Sequence, residues 1–133
     1  MIIPIYIAFG ADEYTMLNNG GVEQRRDAIK GAIETSSNPV TDIDVVFVDT
    51  ADGLAEVLDR STVSGIVFGA ADWDGQDLTD GMRINTPEQV ADFAHVLEGL
   101  DPDDFEEVDA IDILTDFYAA ARTRGDAIAV YFN

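Results

Sequence analysis

Apolar positions in this chain fall into short runs that predict strands. The segments 2–9, 42–48 and 65–69 are rich in β-branched and aromatic residues and are bounded by Gly, Asp or Pro, which is typical of strands. The last segment, DAIAVYFN (126–133), is apolar at alternate positions on both faces. Such runs are usually buried on both sides, so this strand should lie inside a sheet.

Other apolar residues recur at helical spacing. They predict helices over about Val22–Thr35 and Ala51–Asp59, a third helix that begins at Pro87, and a final helix that ends near Arg124. Thr86 and Gln89 form a capping-box pattern around that proline. Asp101 and Pro102 repeat the cap-plus-proline signal for a short turn, and Gly125 is suited to closing the final helix.

These elements predict one α+β domain over residues 1–133. The expected architecture is a mixed sheet of about four to five strands packed by helices, with the C-terminal strand inside the sheet. A three-layer α/β arrangement is the alternative. A chain of 133 residues can bury a sizeable core without disulfides.

The charge balance is strongly acidic. The chain has 27 acidic and 7 basic residues, Lys30 is the only lysine, and the formal net charge is −20. Repulsion between so many like charges opposes compaction in dilute buffer but is largely screened in concentrated salt. We therefore predict a protein adapted to high salt. A basic surface for neutralising phosphates is lacking, which argues against direct nucleic-acid binding.

The absence of cysteine, of a basic N-terminal segment and of a long apolar run bears on the compartment and on cofactor use. There is no cysteine, so thiolate chemistry and disulfides are excluded, and no cofactor is predicted. The start of the chain has no basic segment before its apolar run, and no apolar run is long enough to span a membrane. A cytoplasmic protein that does not contact membranes is expected.

The acidic stretch DWDGQDLTDG (72–81) resembles a calcium loop. An EF-hand counted from Asp72 requires Gly at position 6 and Glu at position 12, but Asp77 and Arg83 stand there. The EF-hand interpretation therefore fails, and whether another cation is bound stays open. His95, the only histidine, falls opposite the apolar stripe of its helix and should face solvent.

One candidate catalytic group is Asp49, at the end of the predicted strand over 42–48. Ligands collect at the carboxyl ends of parallel strands, and Asp49, Asp52 and Asp72 could hold Mg²⁺ for phosphoryl transfer or hydrolysis. The pattern lacks the downstream lysine that such enzymes use. The alternative is that Asp49 caps the following helix.

The candidate binding segment is the loop predicted over Ala70–Asn85. About fifteen residues without a predicted element are unusual in a compact domain unless they are functional or mobile. The single tryptophan, Trp73, either anchors this loop in the core or forms a recognition surface with Asp72, Asp74 and Arg83.

The C-terminal two thirds resemble the YfbM-like family of small bacterial proteins. The resemblance rests on MRINTPEQVADFAHVLEGLDPDDFEE and ILTDFYAAARTRGDAIAVYFN, with Arg83, the helix start at Thr86–Val90, Phe117, Tyr118 and Gly125–Tyr131 as counterparts of family positions. It extends more weakly back to Asp49. The chain departs from the family in two places: ADGLAEVL (51–58) lacks the family's Trp or His, and Asn18–Gly21 forms an extra turn. The resemblance implies an α+β domain and no established activity.

The leading functional hypothesis is a non-enzymatic protein-interaction domain that acts through the Ala70–Asn85 loop. No complete catalytic set is present in the sequence, whereas one long loop carries an aromatic residue. The carboxylate enzyme described above is the alternative.

Overall fold

An antiparallel sheet lies at the centre of the computed structural model, which describes residues 2–73 and 81–133. Its strands are β1 (Pro4–Phe9), β2 (Val40–Asp42), β3 (Ala71–Asp72), β4 (Met82–Asn85) and β5 (Ala127–Phe132). The five strands are ordered β2-β1-β5-β4-β3, and every described pairing is antiparallel. The α+β class and the strand number are as predicted, but the sheet is antiparallel and not mixed.

Helices lie in the long segments that connect these strands. They are α1 (Ala11–Asn18), α2 (Val22–Thr35), α3 (Phe47–Ala55), α4 (Arg60–Phe68), α5 (Pro87–Glu98) and α6 (Val108–Arg124). Short 3₁₀ turns at Asp44–Val46 and Pro102–Asp104 precede α3 and α6. Among the described residues, no helix combines the length and the apolar composition needed to cross a membrane.

Helices cover both faces of the sheet. Tyr6, Ala8, Ile128 and Val130 belong to a core shared with α3 to α6. The alternate residues of β1 and β5 point the other way, into a second core with α1, α2 and Trp73. Strand β5 has a partner on each side and is buried on each face, which confirms its predicted place inside the sheet.

Local signals set the ends of α5 and α6. The Thr86 side chain accepts from the Gln89 amide while Oε1 of Gln89 accepts from the Thr86 amide at 2.9 Å, so the predicted capping box forms. Gly125 closes α6 in the left-handed conformation, at φ 77°. The predicted bounds of α2 are also correct, but α1 was not predicted.

The strand predicted over 42–48 is wrong. Those residues form the end of β2, a 3₁₀ turn and the start of α3. A helical period was hidden in the run, because Phe47, Thr50, Ala51 and Leu54 are spaced three and four apart and face the core. The β-branched composition outweighed this period in the prediction.

The strand predicted over 65–69 is also wrong, because these residues form the end of α4. Asp59 caps this helix by accepting from the Thr62 amide at 2.8 Å, and the hydrogen bonds from Thr62 hold the pKa of the Asp59 carboxyl below its usual range. Val63, Ile66 and Val67 are buried at helical spacing. The chain leaves α4 through Gly69 at φ 91°, where a side chain would overlap Arg83.

Three buried side chains complete the end of α4. The Gly65 carbonyl accepts from the Gly69 amide at 3.1 Å, whereas the carbonyls that follow it in the last turn need partners outside the helix. Asn85 Nδ2 donates to the Gly65 carbonyl at 2.8 Å, and the hydroxyls of Tyr118 and Tyr6 donate to the Ile66 and Val67 carbonyls, each at 2.7 Å. The end of α4 is thus fixed by β1, β4 and α6 together.

Candidate functional site

The exposed side of α3 forms one wall of a cavity. Thr50 and Leu54 face the core, and the Thr50 hydroxyl is satisfied by donating to the Val46 carbonyl at 2.9 Å. The opposite side of the helix therefore carries Asp49, Asp52 and Glu56, spaced three and four residues apart. These three carboxylates line the cavity as a row.

The segment before α6 forms the other wall. The cavity has a volume of about 280 Å³, and Phe105 and Ile111 give it an apolar part. The Phe105 ring is partly buried and lies beside Gly53, where a Cβ would be in van der Waals contact with its Cδ1 at 3.5 Å. Three further carboxylates belong to this wall: Asp104, Glu106 and Glu107.

The charge in this cavity is uncompensated within the described residues. None of its six carboxylates forms a hydrogen bond or an ion pair with residues 2–73 or 81–133, and no basic side chain lines it. A concave site with one sign of charge and a low-dielectric wall focuses its electrostatic potential. The same described ranges hold no group of three or more Asp, Glu or His side chains placed to bind a metal ion.

Exposed valines flank the row of acids on α3. Val45 and Val48, in the 3₁₀ turn and the first turn of α3, are 53% and 51% exposed. Val57, just after the helix, is 61% exposed. Val48 is adjacent in the chain to Asp49, and Val57 to Glu56. We call these exposed valines, together with the residues that line the cavity, the α3 face.

The structure brings two of the three proposed catalytic acids together. Asp49 and Asp52 line the cavity, but Asp49 is the third residue of α3 and not the end of a strand. Since the sheet has no parallel pair among the described strands, the reason for expecting a catalytic edge is absent. The capping alternative is also wrong, because Val46 holds the N-cap position without a side-chain bond.

The third acid, Asp72, lies elsewhere. It is on β3 at the edge of the sheet and forms an ion pair with Arg83 on β4. Its side chain is 63% exposed, so this pair contributes little to stability. Arg83 also donates to the Gly69 carbonyl at 2.9 Å, which occupies its Nε.

Trp73 is an anchor and not an exposed recognition residue. Its side chain is buried, and its indole nitrogen donates to Asn18 Oδ1 at 3.2 Å. The ring packs on Phe9 and Tyr14. This corrects the proposal that Trp73 binds a partner and agrees with the anchoring alternative. Asp74 and the EF-hand positions at 74–80 lie outside the described residues.

The structure also places His95 and the segment Ala70–Asn85. His95 is exposed on α5, as expected. The segment predicted as a loop over Ala70–Asn85 contains β3 and β4. The residues missed by the sequence analysis are Glu56 and the second wall of the cavity. The run DPDDFEE, acids around one phenylalanine, was the available signal, but its position against α3 is set by the fold.

The architecture defines a small α+β protein with an antiparallel five-stranded sheet covered by helices on both faces. A solved structure with this architecture is that of YfbM from Escherichia coli, a protein of unknown function. The two share 15% sequence identity, the similarity covers 100% of each chain, and the TM-score is 0.67. The chain therefore has a YfbM-like fold. No protein-family model matches the chain, and no curated protein matches it in sequence.

Proposed function

We propose that this chain is a non-enzymatic protein-interaction domain whose α3 face binds a basic, amphipathic segment of a partner protein. The observation that carries the proposal is that one segment, 45–57, carries three exposed valines and three carboxylates of an acidic cavity that Phe105 also lines. The proposal keeps the interaction function expected from the sequence but moves the surface from the Ala70–Asn85 loop to α3.

The apolar part of the α3 face supports binding of a protein segment. Val45, Val48 and Val57 are each more than half exposed. Covering apolar surface is worth about 25 cal/mol per Å², so a partner that buries these side chains gains free energy that solvent does not provide. A free metal ion or a small polar metabolite would leave them uncovered.

The acidic part supports a basic partner. Six carboxylates without partners among the described residues line the cavity, in a chain of net charge −20. A lysine or arginine side chain would place its cation among them and against the Phe105 ring, where a cation–π contact adds about 0.5–1 kcal/mol at an exposed site. A second copy of this chain would instead bring like charge.

The proposed setting is concentrated salt. At about 1 M salt the Debye length is near 3 Å, so charges more distant than a direct contact attract weakly. Under those conditions the valines would supply much of the affinity, and the carboxylates would supply orientation and selectivity.

The carboxylate-enzyme alternative has less support. A phosphoryl-transfer site needs a cation to stabilise the transferring oxygens. The cavity around Asp49 and Asp52 has no basic lining residue in the described part of the chain, and Asp72 is engaged with Arg83.

The proposal is tested by an NMR titration with a synthetic amphipathic helix of leucine and lysine. We expect saturable shifts of backbone amides at 45–57 and 104–107, in about 0.15 M and about 1 M KCl. V45S/V48S should weaken binding about thirtyfold, since each exposed valine contributes about 1 kcal/mol when covered and about 1.4 kcal/mol corresponds to a factor of ten in Kd. V22S removes an exposed valine of α2 and is the matched control.

Two results would overturn the proposal. One is a set of shifts scattered over the acidic surface without saturation, which indicates nonspecific attraction. The other is equal binding of the double variant and V22S. A peptide with glutamate in place of lysine should not bind.

A further inference from the structure

We propose a second ligand site, for neutral polyhydroxylated molecules such as simple sugars, in the hollow between α4 and α5. This site is separate from the α3 face and does not depend on the proposed protein interaction. The hollow combines an uncharged lining, an aromatic wall held in one orientation and polar side chains with spare hydrogen-bonding capacity.

The hollow lacks charge in a chain where 26% of residues are charged. Its volume is about 340 Å³, and the seven lining residues within 2–73 and 81–133 are uncharged. Pockets for small molecules begin at about 300 Å³. Among the described residues that line it there is no arginine or lysine to pair with an anion and no carboxylate to pair with a cation. The lining thus matches a neutral ligand.

Phe93 supplies an aromatic wall with a fixed orientation. Its ring lies against the backbone of Gly65, where any Cβ would overlap it. On another side the ring meets Tyr118 edge to face, with centroids 6.3 Å apart and planes at 72°. The ring is only partly buried. A held, accessible aromatic ring can pack against the C–H groups of a sugar without having to be ordered on binding.

Polar side chains with spare hydrogen-bonding capacity line the hollow together with this ring. The Ser64 side chain is exposed and forms no hydrogen bond with another described residue. Gln89 uses its Oε1 to accept from the Thr86 amide, which leaves its amide NH₂ as a donor. The Ser61 side chain is exposed, and its hydroxyl can donate one hydrogen bond and accept others. Donors and acceptors together suit hydroxyl groups, which need both.

The test is a titration of amide NMR spectra with glucose, galactose, N-acetylglucosamine and trehalose, each to about 100 mM, because few polar contacts predict a millimolar Kd. At least one of these should give saturable shifts confined to 61–65 and 89–93. S64A should weaken binding several-fold and F93L should abolish it, while S37A, a change at a serine outside the hollow, should leave it unchanged. Glucose 6-phosphate should bind more weakly than glucose because the chain repels anions.

The inference is overturned if none of the four sugars gives saturable shifts, if the shifts lie elsewhere, or if S64A binds as tightly as the unaltered protein. S64A changes an exposed side chain and should keep the fold even if F93L does not.

Discussion

The guanidinium of Arg25 lies 5.5 Å from the centre of the Trp73 ring, and its Nη1 donates to the Trp73 carbonyl at 2.8 Å. The same side chain donates to the carbonyls of Leu17, Asn18 and Gly20. One arginine on α2 therefore ties the end of α1 and the following turn to the residue after β3. This arrangement joins segments that are about fifty residues apart in the chain.

Replacing Arg25 with lysine should destabilise the protein by about 2 kcal/mol. Lysine keeps the charge but cannot reach four carbonyls with a planar fork, and lost hydrogen bonds to charged groups cost about 1.5–3 kcal/mol. Urea unfolding gives the free energy, and a red shift of Trp73 fluorescence reports the loosened ring. The matched control is R26K, since Arg26 has no hydrogen bond or ion pair with another described residue. Equal losses in both variants would contradict the anchoring role.

Tyr118 to phenylalanine should cost about 1–3 kcal/mol. The change removes the donor to the Ile66 carbonyl and the acceptor for Asn85 Nδ2, both buried, and buried groups without partners carry this cost. The measurement is a urea unfolding curve. The matched control is Y14F, which keeps the ring on Trp73 and removes a hydroxyl that has no hydrogen bond with the described residues. This control should change the free energy of unfolding little. A neutral Y118F would show that the end of α4 is held by packing alone.

Stability should fall above about pH 10. Burial raises the pKa of Tyr6 and of Tyr118 above the ordinary value of 10.0. Because the pKa of each tyrosine is higher in the folded than in the unfolded chain, its contribution to the free energy of unfolding is complete below pH 10. The contribution is lost as the pH rises towards the folded-state pKa, because the unfolded chain releases the phenolic protons first. Thermal melts from pH 8 upward measure this. The slope should be smaller in Y118F, and an unchanged slope would assign the alkaline loss to other groups.

Deleting Val130–Asn133 should prevent cooperative folding. Strand β5 pairs with β1 on one side and β4 on the other, so the deletion leaves both neighbours with unpaired backbone groups and opens both cores. Circular dichroism during heating tests the result. A truncated chain that still melts cooperatively would show that the sheet does not need the second half of β5.

The melting temperature should rise steadily from dilute buffer into about 1 M salt, equally for KCl and NaCl. The reason is the screening of repulsion within a chain of net charge −20. Calcium or magnesium at a specific site would instead stabilise at low concentration and saturate. Thermal melts across both titrations distinguish the cases. Full stability in dilute buffer, or sharp stabilisation by micromolar Ca²⁺ that a chelator reverses, would contradict adaptation to salt.

The sequence by itself determined the elements whose signals are local. The capping box at Thr86 and Gln89 set the start of α5, Gly125 set the end of α6, and the apolar faces of residues 126–133 placed β5 inside the sheet. The two helix signals act within a few residues, where backbone sterics and hydrogen bonding decide the conformation, whereas the strand signal reflects burial on both faces. The YfbM-like resemblance, carried by this same part of the chain, agreed with the fold.

Only the tertiary structure decided the segments 42–48 and 65–69. The composition of both segments favours strands. The first is helical at its end because Phe47, Thr50 and Leu54 pack towards one core. The second is helical because the carbonyls that end α4 have buried hydrogen-bond partners. Those partners come from positions 6, 85 and 118, which no local pattern connects. The cavity on the α3 face has the same origin, since acids at 49–56 and 104–107 become neighbours only when α3 packs beside the start of α6. Propensity is a weak prior, and burial of a shared core overrides it.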